Sequence, residues 1–160
     1  MRVEGMVRQL VGGCSPIVHV SRLAAVVKVV EGIIRADRLV PATIGRNLPG
    51  RADPKHGIKC IDRLLGNSHM VTDRRAIFQA VAGHLLHGGP RPVILVDWTQ
   101  SGGTHEALVA AVPIGGRALP VYLEVHPLKK LGNAVVERKF LSALKAVLPP
   151  ECKGRARFSV

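Results

Sequence analysis

The sequence predicts a helical first half followed by an α/β second half. Apolar residues recur at three- and four-residue spacing up to about residue 88. "HGGP" at 87–90 then breaks the chain. Beyond it the apolar residues run together, as in Val93 to Val96, and two such runs flank Gly115-Gly116. This change of period implies two modules: a helical region over 1–88, and a region over 91–160 made of a strand, a hairpin and a helix.

Within the first module, "SRLAAVVKVVEGIIRADRL" places Leu23, Val26, Val27, Val30, Ile33 and Ile34 at helical spacing, with Ser21 as the cap. "PATIGRNLPG" is a shorter helix, with Pro41 in its first turn and Pro49-Gly50 ending it. "DPKHGIKCIDRLLGN" is the clearest helix. Asp53 caps it, Pro54 opens it and Gly66-Asn67 stops it. Its apolar face is Ile58, Ile61, Leu64 and Leu65. Lys55, Lys59 and Arg63 form a row at i, i+4 and i+8 on the other face, with His56 beside them. A fourth helix, about Asp73 to His87, buries Ile77, Val81 and Leu85. Three helices of which the third is basic suggest helix-turn-helix geometry.

In the second module, Arg91 to Thr99 is a strand that reaches a carboxylate, Asp97, and the chain's one tryptophan, Trp98. "EALVAAVPIGGRALPVYLEV" is a hairpin about Gly115-Gly116, and Pro120 marks a sheet edge. "NAVVERKFLSALKAVLPP" is a helix with Val136, Phe140, Leu144 and Val147 inward. The last ten residues, "ECKGRARFSV", are basic and show no period.

Composition narrows the partners. The net charge is +12, from 23 Lys and Arg against 11 Asp and Glu, which points to nucleic acid or an anionic surface. A hydrophobic fraction of 47% supplies a real core and excludes a disordered basic tail. The longest apolar region, Leu23 to Ile34, is too short for a membrane span and contains Lys28 and Glu31. Glu4 and Arg8 disqualify the N-terminus as a signal peptide. Cys14, Cys60 and Cys152 are too scattered for a disulfide framework or a zinc site. Aromatics at 3% are too few for a base-stacking platform. The expectation is a cytoplasmic, nucleoid-associated protein that meets no membrane.

Asp97 supports two readings. Asp97 reads as a carboxylate at a strand end, and a lone Asp there commonly bonds to nearby backbone, here in a turn with Thr99. A carboxylate held by a packed strand also suits Mg²⁺ beside a scissile phosphate, but such chemistry needs several acids. The acids that follow are Glu106, Glu124, Glu137 and Glu151, and no aspartate follows at all. For Lys55, Lys59 and Arg63 the readings are a solvated face or a row of phosphate contacts. Gly102-Gly103 reads as a plain turn ahead of a phosphate loop.

"LPGR" and "KHGIKCIDRLLGN" at 48–67, "ILVDWT" at 94–99, "AVPIGGRALPVYLEVHPL" at 111–128 and "KLGNAVVERKFLSAL" at 130–144 form a specific combination. On these stretches, from about Val18 to Pro149, the chain resembles an insertion-sequence DDE transposase of the IS-four type. The resemblance implies a helical DNA-binding region and then a ribonuclease-H-like domain that opens with three antiparallel strands and a helix. In such enzymes two Asp and one Glu hold two Mg²⁺ (or Mn²⁺) ions for DNA cleavage and strand transfer, and dimers work on paired transposon ends. The first acid, a catalytic metal ligand, corresponds to Asp97. The second Asp belongs on a fourth strand, where this chain reads "ECKGRARFSV", and the Glu belongs further on.

The expectation is therefore a truncated or frameshifted transposase with an incomplete ribonuclease-H-like fold. It binds double-stranded DNA through Lys55, His56, Lys59 and Arg63 and does not cleave or transfer strands alone. The Asp97 strand becomes a sheet edge, and residues 91–160 are the less stable half. Two other readings stay open: a basic DNA-binding regulatory module, and the front half of a transposase completed by frameshifting or by a second chain.

Overall fold

Helices fill the first half of the chain and a sheet with one helix fills most of the second, as the periodicity predicts. The computed structural model describes residues 3–11, 17–50, 53–88, 92–152 and 157–159. It divides into two compact units, Met1–Ala80 and Val81–Val160.

The first unit begins with a helix that periodicity did not reveal, α1 (Val3–Val11). It is short, and Gly5 interrupts its pattern. Its inner residues Val7 and Leu10 join Val18, Val27, Leu23, Val30, Ala76 and Ile77 in one apolar cluster. α2 (Val20–Arg35) is capped by His19 in place of Ser21. The helix starts one residue before Ser21, so its amide donates to His19 Nδ1 at 3.3 Å. Val27 is buried at the centre of its face, while Ile34 has turned outward.

α3 (Pro41–Arg46) and α4 (Pro54–Leu65) meet backbone to backbone. A Cβ on Gly45 would lie 2.6 Å from Ile58 Cα, and one on Gly57 would collide with the Gly45 carbonyl. Gly32 of α2 is similarly close to Ile44 and Leu48. Small residues thus set the spacing of these three helices. α4 keeps its expected ends. The Asp53 carboxylate accepts from the Lys55 amide at 2.7 Å, and Gly66 is the C-cap. Ile61 is buried, but Leu65, expected on the inner face, is 70% exposed. It sits at the last turn, past the contact with α3.

α5 (His69–Leu86) starts earlier than its apolar pattern implies, because Asn67 Oδ1 accepts from the His69 amide at 3.0 Å. Its buried residues are Ala76, Ala82 and Leu86, with Asp73 buried among its polar ones, while Ile77, Val81 and Leu85 are half-buried. Small alanines face inward here, so a search for large apolar side chains finds a neighbouring face. Arg22 of α2 and the buried Asp73 of α5 pair at 2.5 Å. The expected thiols Cys60 and Cys152 are half-buried and buried, and Cys14 lies outside the described residues.

The second unit holds β1 (Val93–Gly102), β2 (His105–Ile114), β3 (Arg117–Pro127), α6 (Ala134–Val147) and β4 (Arg157–Ser159). The sheet order is β3-β2-β1-β4. β1, β2 and β3 are antiparallel. Gly115 (φ 58°) and Gly116 (φ 76°) make the β2–β3 turn, where two positive φ values fit a type I′ hairpin. Gly102 and His105 close the β1–β2 hairpin, so Gly102-Gly103 belongs to a turn. β3 lies at the sheet edge, as Pro120 suggested.

α6 packs on β2 and β3. Asn133 caps it by accepting from the Val135 and Val136 amides. Phe140, Leu144 and Val147 are buried, and Phe140 meets Tyr122 at 5.1 Å between ring centres.

Two expectations are corrected here. β1 runs to Gly102, so Asp97 lies within the strand and not at its end. The final residues do contain a strand. β4 runs parallel to β1 and pairs Val93, Leu95 and the residue between them with Arg157–Ser159. Three residues are too few to show a period in sequence. β1 is therefore covered over its first three residues, and among the described residues no strand pairs with it on that side beyond Leu95.

Candidate nucleic-acid interface and acidic pocket

The basic row of α4 follows from how that helix packs. Gly57 and Ile61 are its buried residues. At 100° per residue, Lys55, Lys59 and Arg63 then fall away from the α3 contact, and all three are exposed, as is His56. Eight residues of helix separate Lys55 from Arg63, a rise of about 12 Å. None of the three cations pairs with a carboxylate among the described residues. Asp62, the acid next to Arg63, leaves the row unneutralised. A set of free cations along one solvent-facing helix ridge attracts an extended polyanion, and it does so without fixing a sequence.

Asp97 belongs to the other unit. Along β1, Ile94 and Val96 are buried while Val93, Leu95 and Asp97 are exposed, the alternation a pleated strand imposes. The Asp97 Oδ1 accepts from the backbone N–H of Trp98 at 2.8 Å. This local backbone bond is the kind expected of a lone strand carboxylate, although its partner is Trp98 and not a turn at Thr99.

Trp98 is held from two further directions. Its indole Nε1 donates to Glu137 Oε1 of α6 at 3.0 Å. Its ring meets the His126 imidazole edge-on, with centres 5.8 Å apart. On β3, Tyr122, Glu124 and His126 share a face at period two. The Tyr122 hydroxyl donates to Glu124 Oε1, and His126 Nε2 lies 3.2 Å from Glu124 Oε2. That Nε2 is buried without a well-angled hydrogen bond, so the contact with Glu124 is one of proximity. A pocket of about 70 Å³ opens beside Trp98, lined by Val96, Asp97, Trp98, Leu108, Glu137 and Leu141. It is mainly apolar, with two carboxylates in its wall.

Asp97 and Trp98 stand out in the sequence, and Glu137 does not. The Trp98–Glu137 bond spans 39 positions and depends on where α6 docks. The Tyr122-Glu124-His126 alternation was visible in "YLEVH", though its partner Trp98 was not. Of the acids that follow Asp97, Glu124 is engaged with Tyr122 and His126, and Glu106 pairs in register with Gln100 and His126.

Two-metal chemistry needs several carboxylates around one point. Among the described residues no group of three or more His, Cys, Asp or Glu is placed to hold a metal ion. Asp97 and Glu137 share a pocket wall, but two acids, one of them committed to an indole, do not form a two-metal site. The described residues therefore do not fit the Mg²⁺ pair that the resemblance implies. His69, His84 and His87 are exposed. Among the described residues no helix is long and apolar enough to cross a membrane. No family model, curated protein or solved structure matches the chain.

Proposed function

We propose that this chain binds double-stranded DNA through α4 and is a segment of a DDE transposase of the IS-four type that does not cleave DNA by itself. The observation that carries the DNA reading is the exposed, carboxylate-free row of Lys55, Lys59 and Arg63 on a chain of net charge +12. His56 lies at its margin. The ribonuclease-H-like reading takes support from the sheet order, from β4 running parallel to β1, and from a carboxylate on β1. Each phosphate that a cation neutralises adds about 0.9 to the steepness of log K against log salt. Replacing Lys55, Lys59 and Arg63 by Ala should therefore flatten the slope by about 2.7. An unchanged slope removes α4 from the interface.

A second reading, a regulatory DNA-binding module, is favoured by the Asp97 carboxylate, which is engaged by a neighbouring amide. Both readings expect no nicking of transposon-end DNA with Mg²⁺ or Mn²⁺. Metal-dependent nicking that Asp97→Ala abolishes would restore the catalytic reading. In the same assay, a chain that lowers the activity of an intact transposase of this type would favour the regulatory one.

A further inference from the structure

The solvent face of α6 is a second cationic surface, on the unit that does not contain α4. Arg138, Lys139 and Lys145 are exposed along it, and Lys129 and Lys130 are exposed in the 3₁₀ turn that leads into it. The only acid between residues 129 and 145 is Glu137, and its carboxylate accepts from the Trp98 indole. None of the five cations pairs with a carboxylate among the described residues. Solvated protein surfaces ordinarily intersperse both signs of charge. The stretch from 129 to 145 carries five exposed cations, and its one acid accepts from the indole.

We propose that this face is a second phosphate-binding surface for duplex DNA, an inference that rests on the DNA reading above. Arg138 and Lys145 are seven residues apart, a rise of about 10 Å, long enough to face several charges of a duplex carrying one per about 1.7 Å of axis. Beside Arg138, Lys139 and Lys145 the ridge exposes Ala134, Val135 and Ser142, and its charged groups are all cationic donors. The one hydroxyl, Ser142 Oγ, donates to the Arg138 carbonyl at 2.9 Å. The surface therefore touches the DNA backbone and does not read base sequence. An anionic membrane is the competing partner for a basic helix, but insertion requires a free apolar face. In α6 the main apolar face is spent on the sheet, with Phe140 and Leu144 fully buried, and Val135 is the one large apolar side chain of the helix that is exposed.

The test uses the full chain and a duplex of scrambled sequence, with affinity measured across a salt series. One variant carries Lys129→Gln, Lys130→Gln, Arg138→Gln, Lys139→Gln and Lys145→Gln. A charge-keeping variant carries Lys→Arg at the same lysines and Arg138→Lys. The Trp98 emission spectrum confirms that each is folded around α6. The expected result is a slope flattened by about 0.9 for each phosphate no longer neutralised, up to about 4.5, in the first variant only. If the first variant keeps the parent slope while the α4 variant flattens it, the α6 surface is refuted and the DNA reading stands. If the parent chain does not bind the duplex, both fall. Vesicles containing phosphatidylserine serve as the control. Capture by vesicles and not by duplex, abolished in the first variant, assigns the face to membrane and overturns the proposal.

Discussion

Trp98 of β1 reaches α6 by one hydrogen bond and β3 by one ring contact, and this makes it a sensitive probe. Its indole N–H has one acceptor, Glu137 Oε1, in a half-buried setting. Glu137→Leu removes that acceptor and should cost about 1–3 kcal/mol, the usual penalty for orphaning a partly buried donor. Glu137→Gln keeps an acceptor oxygen and should recover most of it. Urea melts followed by Trp98 emission check both, and equal stability of the two variants would show that the bond contributes nothing. The two residues differ in how far sequence revealed them. Asp97 was visible because a carboxylate in an apolar run is anomalous by itself. Glu137 was not, since a Glu in the first turn of a helix is ordinary and its partner is set by tertiary docking.

Helix–helix packing in the first unit depends on what is missing from it. Gly→Ala within a helix normally stabilises by about 1 kcal/mol. At Gly57 the added methyl meets the Gly45 carbonyl. Overpacking costs about 1–3 kcal/mol, so the sign reverses and Gly57→Ala should destabilise the chain. A rise in thermal midpoint by circular dichroism would contradict the close approach of α3 and α4. The Arg22–Asp73 pair joins α2 to α5 with its carboxylate 6% exposed. Asp73→Ala strands a guanidinium and should cost about 3 kcal/mol, while Arg22→Met with Asp73→Leu should recover much of that. Neither device shows in sequence, because glycines and ion pairs carry no period. The helices that were legible are those with large apolar side chains at regular spacing, such as α4 and α6. The short α1, interrupted by Gly5, was not, and the alanine-lined face of α5 was placed one residue off.

Across the whole molecule, the switch from helical to strand period near residue 88 gave the order of architecture directly. The parallel β4 was hidden by its brevity, and with it the partial cover over β1. β2 is flanked on both sides, by β1 and β3. Its amides should therefore exchange with solvent more slowly than those of β1 beyond Leu95, and the reverse ranking would contradict the strand order. β4 meets three of the ten residues of β1, and among the described residues no strand pairs with the other seven, Val96 to Gly102, on that side. Such a border recruits strands from other molecules unless something blunts it. Asp97 supplies a blunt point, since it places an exposed charge on this strand. A carboxylate at such a border opposes the pairing of strands from two molecules. Asp97→Ala should scatter more light than the parent at equal concentration and salt, even under conditions in which neither binds metal.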